Sequence, residues 1–217
     1  MKRLDLAHKP AIVIVDYGVG NLRSVQKALE RVGAEAAIRS EPAALDEAQG
    51  VVLPGVGAFG DGLAQLRARG LVAPLLRQVA RDKPLLGICL GMQLLFDESD
   101  EMGHHRGLGL LPGRVVRFPE NDLKVPHVGW NQLRFAGHPL LDGIPSGAYA
   151  YFVHSYYAQP AVPGDVLATT DYGLEFASVV GRGRVWGAQF HPEKSQEVGL
   201  RLLANFCRLV AGEEGEA

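Results

Sequence analysis

Leu85–Phe96, LLGICLGMQLLF, sets a cysteine between two glycines where an apolar run passes into a helical pattern. Gly87-Ile88-Cys89-Leu90-Gly91 has the form G-x-C-x-G, the thiol counterpart of a nucleophile elbow, in which a sharp strand-to-helix turn lifts the nucleophile above a sheet. The flanking glycines remove side chains that would clash in so tight a turn. A cysteine at the start of a helix also feels the positive end of the helix dipole, which favours the thiolate, the attacking species. Without chemistry, the same glycines would simply let a helix pack closely on a sheet around a core cysteine.

Outward from this stretch, the apolar runs AIVIV (11–15), GVVLPG (50–55) and PLLGIC (84–89) alternate with helical patterns at 22–33, 58–69, 71–81 and 90–96. That alternation predicts βαβ units and a parallel sheet covered by helices. After residue 110 the runs shorten to GRVVRF, AYAYFVHSYY, VLATT, FASVV and RVWGAQF, separated by Gly, Pro or Asp turns, before a closing helix at 195–211. The expected fold is α/β: a single open sheet, mostly parallel with mixed or antiparallel strands in the C-terminal half, helices on both faces, and a nucleophile elbow. One domain spans 1–217, with 212–217 expected to fray.

Composition narrows the function. The chain has 217 residues, 47% of them hydrophobic, and 22 basic against 24 acidic side chains, so no broad cationic face for nucleic acid or anionic lipid is implied. The N-terminal apolar run is too short for a signal sequence or a membrane span, which predicts a cytoplasmic protein. Cys207, in the helical pattern LRLLANFCRLV, reads as a buried small hydrophobe, because a reducing compartment would not keep a bridge to Cys89.

A nucleophilic thiol needs a base, and the base needs a group that fixes its tautomer. His191 ends an apolar strand pattern in VWGAQFHPEKS, projecting from the carboxyl edge where elbow nucleophiles sit, and Glu193 can orient its ring. Whether His191 rests neutral or as an imidazolium beside a thiolate stays open at this level. Val56-Gly57, after the strand run that ends in Pro54-Gly55, leaves backbone N–H groups free to face an oxyanion. Gln93 lies one helical turn after Cys89, on the same face.

Together, LLGICLGMQLLF and GAQFHPEKS resemble the class I, triad-type glutamine amidotransferases. Four further segments, VDYGVGNLRSV (15–25), LPGVGAFGDG (53–62), KVPHVGWNQL (124–133) and YFVHSYY (151–157), extend the resemblance over nearly the whole chain, nearest to the glutaminase subunits of imidazole glycerol phosphate synthase in histidine biosynthesis. The resemblance implies hydrolysis of glutamine to glutamate and ammonia through a thioester on Cys89, with His191 and Glu193 completing the triad. It further implies an oxyanion hole from the amides of Val56 or Gly57 and of Leu90. Substrate contacts would come from Gln93, Glu101 and the backbone of Ser155 and Tyr156. Ammonia would pass to a (β/α)₈-barrel cyclase, docked on a surface that includes Asn21, Trp130, Tyr151 and Lys194. Neither metal nor organic cofactor is called for.

Other signals are weaker. Gly18-Val19-Gly20 begins like a dinucleotide loop, but Arg23 stands where the third small residue belongs. His104-His105 lack partners at metal spacing, and His154, in an aromatic strand pattern, reads as a packing residue. Competing assignments are an amidotransferase subunit for pyridoxal phosphate or purine synthesis, a non-catalytic regulatory subunit on the same fold, and a peptidase on a related elbow fold.

Overall fold

A computed structural model of the protein describes residues 9–120 and 123–212, so the expected fraying falls outside the described residues except at Gly212. Among the described residues, six α-helices and thirteen strands follow one another: β1 (Ala11–Val15), α1 (Leu22–Arg31), β2 (Glu35–Arg39), α2 (Pro42–Glu47), β3 (Gly50–Gly55), α3 (Phe59–Ala68), α4 (Val72–Ala80), β4 (Leu85–Cys89), α5 (Leu90–Gln93), β5 (Phe96–Ser99), β6 (His105–Arg106) and β7 (Leu111–Arg117). The second part holds β8 (His127–Gln132), β9 (Tyr149–His154), β10 (Tyr156–Pro160), β11 (Val166–Asp171), β12 (Glu175–Arg182), β13 (Val185–Ala188) and α6 (Gln196–Ala211).

The main sheet has seven strands in the order β11-β12-β13-β4-β3-β1-β2. Strands β2, β1, β3, β4 and β13 run parallel, whereas β12 and β11 join antiparallel, giving the mixed open sheet expected from the sequence. The period of two in the strands sorts their side chains onto two faces. Ile12, Ile14, Val52, Leu86 and Ile88 face a core completed by Val25 and Leu29 of α1 and by Leu202, Leu203 and Phe206 of α6. Val13, Val15, Val51, Leu53 and Leu85 face the opposite core, completed by Leu63 and Leu66 of α3 and Leu75 of α4. Burial on both faces explains why these central strands read as unbroken apolar runs.

Two features differ from the sequence reading. The C-terminal strands do not all join the main sheet: β10-β7-β5-β6 form a four-stranded sheet, and β8 and β9 pair only with each other. Their side chains alternate between buried and exposed, as in β9, so they suit outer layers with one wet face rather than the sheet centre. The helix expected at 90–96 stops at Gln93, and the chain re-enters a strand at Phe96, which pairs with Leu111. Leu94, Leu95 and Phe96 are all fully buried between layers, and a short apolar run carries no period that separates strand from helix.

Because β1, β3, β4 and β13 are parallel, the segments that follow them, starting at Asp16, Val56, Leu90 and Gln189, all emerge at one edge of the sheet. The carboxyl edge is where open α/β sheets carry ligands.

Candidate active site

Cys89 closes β4 with φ 55° and ψ −110°, a left-handed conformation that costs a non-glycine residue about 1–3 kcal/mol. Its neighbours permit the turn by close packing. A Cβ on Gly91 would run into the backbone carbonyl of Leu53, and one on Gly87 would lie 2.6 Å from the carbonyl oxygen of Gly91. Gly55 of β3 lies in register with Cys89, so Val56 and Gly57 come beside the elbow. Leu90 opens α5, and the first N–H groups of a helix have no acceptor within it.

A cleft of about 330 Å³ opens over the elbow. Cys89, His191, Val56, Gly57, Leu90, Gln93, Glu101, Ser155, Tyr156 and Lys194 line it, joined by Pro126, Val153 and His154. The fold therefore gathers there the sequence-selected candidates from five separate segments of the chain. Glu193 sits behind His191, its Oε1 2.9 Å from the Nδ1 of the ring.

The backbone of His191 is pinned on both sides. Its N–H donates to the Tyr151 carbonyl at 3.0 Å, and its carbonyl accepts from the Ser195 hydroxyl, which in turn accepts the Tyr151 N–H. Gly199 lets the first turn of α6 press on Pro192, where a Cβ would strike the Pro192 carbonyl. Burial pushes the His191 ring toward neutrality, but its hydrogen bonds to Cys89 and Glu193 and their charges outweigh that and raise its pKa to about 10. The sulfur on one side and the Glu193 carboxylate on the other thus both favour a proton on the ring.

Gln93 donates to the Tyr156 carbonyl at 2.9 Å and to Gln189 Oε1 at 3.0 Å. Both amide hydrogens are spent, so only its Oε1 can meet a ligand, as an acceptor. The Tyr156 carbonyl also takes a bond from His154, which fills its two lone pairs and makes it a support of the cleft wall. Glu101 accepts the Phe59 N–H at the start of α3 at 2.7 Å, which fixes it at the cleft; burial nevertheless raises its carboxyl above the ordinary range. It is no freely solvated loop acid.

Sequence reasoning passed over Gln189, whose Nε2 lies 3.8 Å from Cys89 Sγ, and Ser195, which holds the His191 backbone. Gln189 stands two residues before His191, just past the end of β13, so a period of two carried on beyond the strand was the available signal.

The four expected docking residues lie around the same edge. Trp130 and Tyr151 are cross-strand partners in β8 and β9 with ring centroids 5.8 Å apart, and Lys194 Nζ stands 5.9 Å from the Tyr151 ring centroid. Trp130 is 46% exposed and so does not fill the core. Asn21 opens α1 without using its side chain as a cap.

Among the described residues no helix is long and apolar enough to cross a membrane.

The family model described as glutamine amidotransferase class-I matches residues 13–210. The chain belongs to that family. Among curated relatives, it is 55% identical over 202 residues to "Imidazole glycerol phosphate synthase subunit HisH" of Syntrophotalea carbinolica, covering 90% of this chain and 98% of that one. The protein of the same name from Moorella thermoacetica is 54% identical over 207 residues, covering 94% and 98%. Solved structures share the fold: a glutamine amidotransferase superposes with TM-score 0.73 at 24% identity over 92% of this chain and 98% of that one. PurLQS from Thermotoga maritima also gives 0.73, at 20% identity over 94% and 99%.

Proposed function

We propose that this amidotransferase is a single-domain glutaminase subunit of an imidazole glycerol phosphate synthase, releasing ammonia from glutamine for a cyclase subunit in histidine biosynthesis. The observation that carries the chemistry is the His191 ring set between the elbow sulfur and Glu193. The names of relatives more than 50% identical over nearly their full length carry the pathway.

In this reading Cys89 Sγ attacks the side-chain amide carbon of glutamine, forming a C–S bond and placing the negative charge on the former carbonyl oxygen. The amide N–H of Leu90 and that of Val56 or Gly57 receive this oxyanion; one such donor is worth about 2.7–4 kcal/mol of barrier. His191 gives its proton to the departing nitrogen, and ammonia leaves as the tetrahedral intermediate collapses to a thioester. The now neutral ring then takes a proton from water, which adds to the thioester. Collapse breaks the C–S bond, giving glutamate and the starting pair. Glu193 holds the ring by its Nδ1 throughout. Glutamine is oriented by the Gln93 Oε1, by Glu101 facing the substrate ammonium, and by the backbone around Ser155.

Free ammonia would be lost to water or protonated, so the cleft needs a cover. The ribbon of β8 and β9 offers one: Val128, Trp130, Tyr149 and Val153 are exposed along its outer face, and Val153 and Lys194 also border the cleft. A barrel-type cyclase docked here would close the cleft, with Trp130 as apolar anchor, Lys194 paired with an acidic residue, and Asn21 and Tyr151 at the contact. Assaying glutamate release by the chain, alone and with the cyclase and its ligand, tests the proposal. Weak hydrolysis alone and strong stimulation in the complex are expected; full activity without a partner would argue against the coupling.

A further inference from the structure

The buried face of the β8–β9 ribbon carries two histidines that the reaction above does not use. His127 Nδ1 is 3.1 Å from His154 Nε2, and His154 Nδ1 is 2.8 Å from the Tyr156 carbonyl oxygen. Asn131 Nδ2 is 3.3 Å from His127 Nε2 and 2.8 Å from the Asp171 carbonyl. Phe118, Phe152, Phe176 and Tyr172 pack around the pair.

Two carbonyls, which can only accept, fix every direction in between. Tyr156 requires a proton on His154 Nδ1, which leaves Nε2 as acceptor for His127 Nδ1–H. His127 Nε2 is then an acceptor for Asn131, whose amide nitrogen is already oriented by Asp171. On the other side the Tyr156 carbonyl orients the Gln93 nitrogen, so Gln189 Oε1 must accept and Gln189 Nε2 must face Cys89 Sγ. Burial, joined for His154 by the neighbouring His127 and His191, lowers the two rings to about 4 and about 3, so both are neutral near pH 7, as these directions demand.

We propose that His127 and His154 are positioning residues for glutamine hydrolysis: through the Tyr156 carbonyl, Gln93 and Gln189 they hold a hydrogen-bond donor on the attacking sulfur and the Gln93 acceptor toward the substrate. The chain starts on the strand that carries Trp130 and ends on Sγ. It rests on the glutaminase reading for its substrate but not for its effect on the thiol.

The test compares His154→Leu, which removes both ring nitrogens, with His154→Asn, whose Nδ2 can replace the donor to Tyr156, and with Gln189→Leu. Glutamine kcat/KM, measured on the full chain in its synthase complex, should fall about tenfold in His154→Leu and stay within about threefold of the parent in His154→Asn. Iodoacetamide modification of Cys89 at pH 7, followed by peptide mapping, should slow about fivefold in Gln189→Leu, since the sulfur loses its donor. Parent-like kinetics in His154→Leu, or equal losses in both His154 variants tracking their melting temperatures, would overturn the proposal. If His154→Leu fails to fold, an unchanged alkylation rate in Gln189→Leu overturns it. A parent chain that modifies normally but never hydrolyses glutamine would instead strike the glutaminase reading.

Discussion

The two cysteines of this chain occupy opposite kinds of environment. Cys207 lies toward the C-terminal end of α6 with no exposed surface, among Leu203, Ala204 and Phe206, and burial raises its thiol to about 12. Cys89 is nearly as buried, at 6% exposure, yet its sulfur has Gln189 as a donor, hydrogen-bonds His191 and borders a cleft. Burial therefore does not set the two thiols apart. The difference is made by backbone strain and by polar neighbours from segments far apart in the chain.

The largest break in this comparison should come from the elbow itself. Cys89→Ala is expected to reduce glutamate release to below about 1% of the parent, while the fold survives, because the change is small and lies at a cleft wall. His191→Asn should be nearly as inactive. Glu193→Gln should lose less, since its amide can still accept from the ring Nδ1–H while giving up the charge. Steady-state glutaminase assays rank the three, and equal mild losses would contradict a triad.

Next in size is the docking face. Trp130→Ala and Lys194→Glu should each weaken the complex by about 2 kcal/mol, read as roughly thirtyfold in Kd by titration calorimetry, with unchanged melting temperatures. Undiminished binding by both would remove the ribbon from the interface.

A smaller effect sharpens the contrast through pH. The folded His191 pKa is raised from 6.5 to about 10, so the stabilisation from its two partners is complete below pH 6.5 and fades as pH rises through about 10. The melting-temperature difference between the parent and His191→Asn should shrink over that window. The kcat/KM profile should show no acid limb near pH 6.5 and should fall toward pH 10, as the proton destined for ammonia is lost. An acid limb centred near 6.5 would mean that the ring rests neutral.

What could be read from the sequence follows the same physics. G-x-C-x-G and His-Pro-Glu are local patterns tied to their own backbone turns, so the turn at Cys89 and the place of His191 beside it were legible before any fold. The central strands were legible because burial on both faces leaves an unbroken apolar run. Strand β2, EAAIR, at the sheet edge, and the six-residue α2 carry too little apolar signal to stand out. The division of the later strands into three sheets depends on pairing over long distances, which alternation alone does not specify. The His127–His154 pair was hidden for a related reason: its partners, Tyr156 and Asn131, come from different strands, and an aromatic setting reads as packing.

The most direct measurement of the central claim is covalent. A glutamine-derived alkylating analogue, incubated with the chain and mapped by peptide mass spectrometry, should modify Cys89, leave Cys207 untouched, and be slowed by excess glutamine. Label on Cys207 with Cys89 unmodified would contradict the assignment of both thiols.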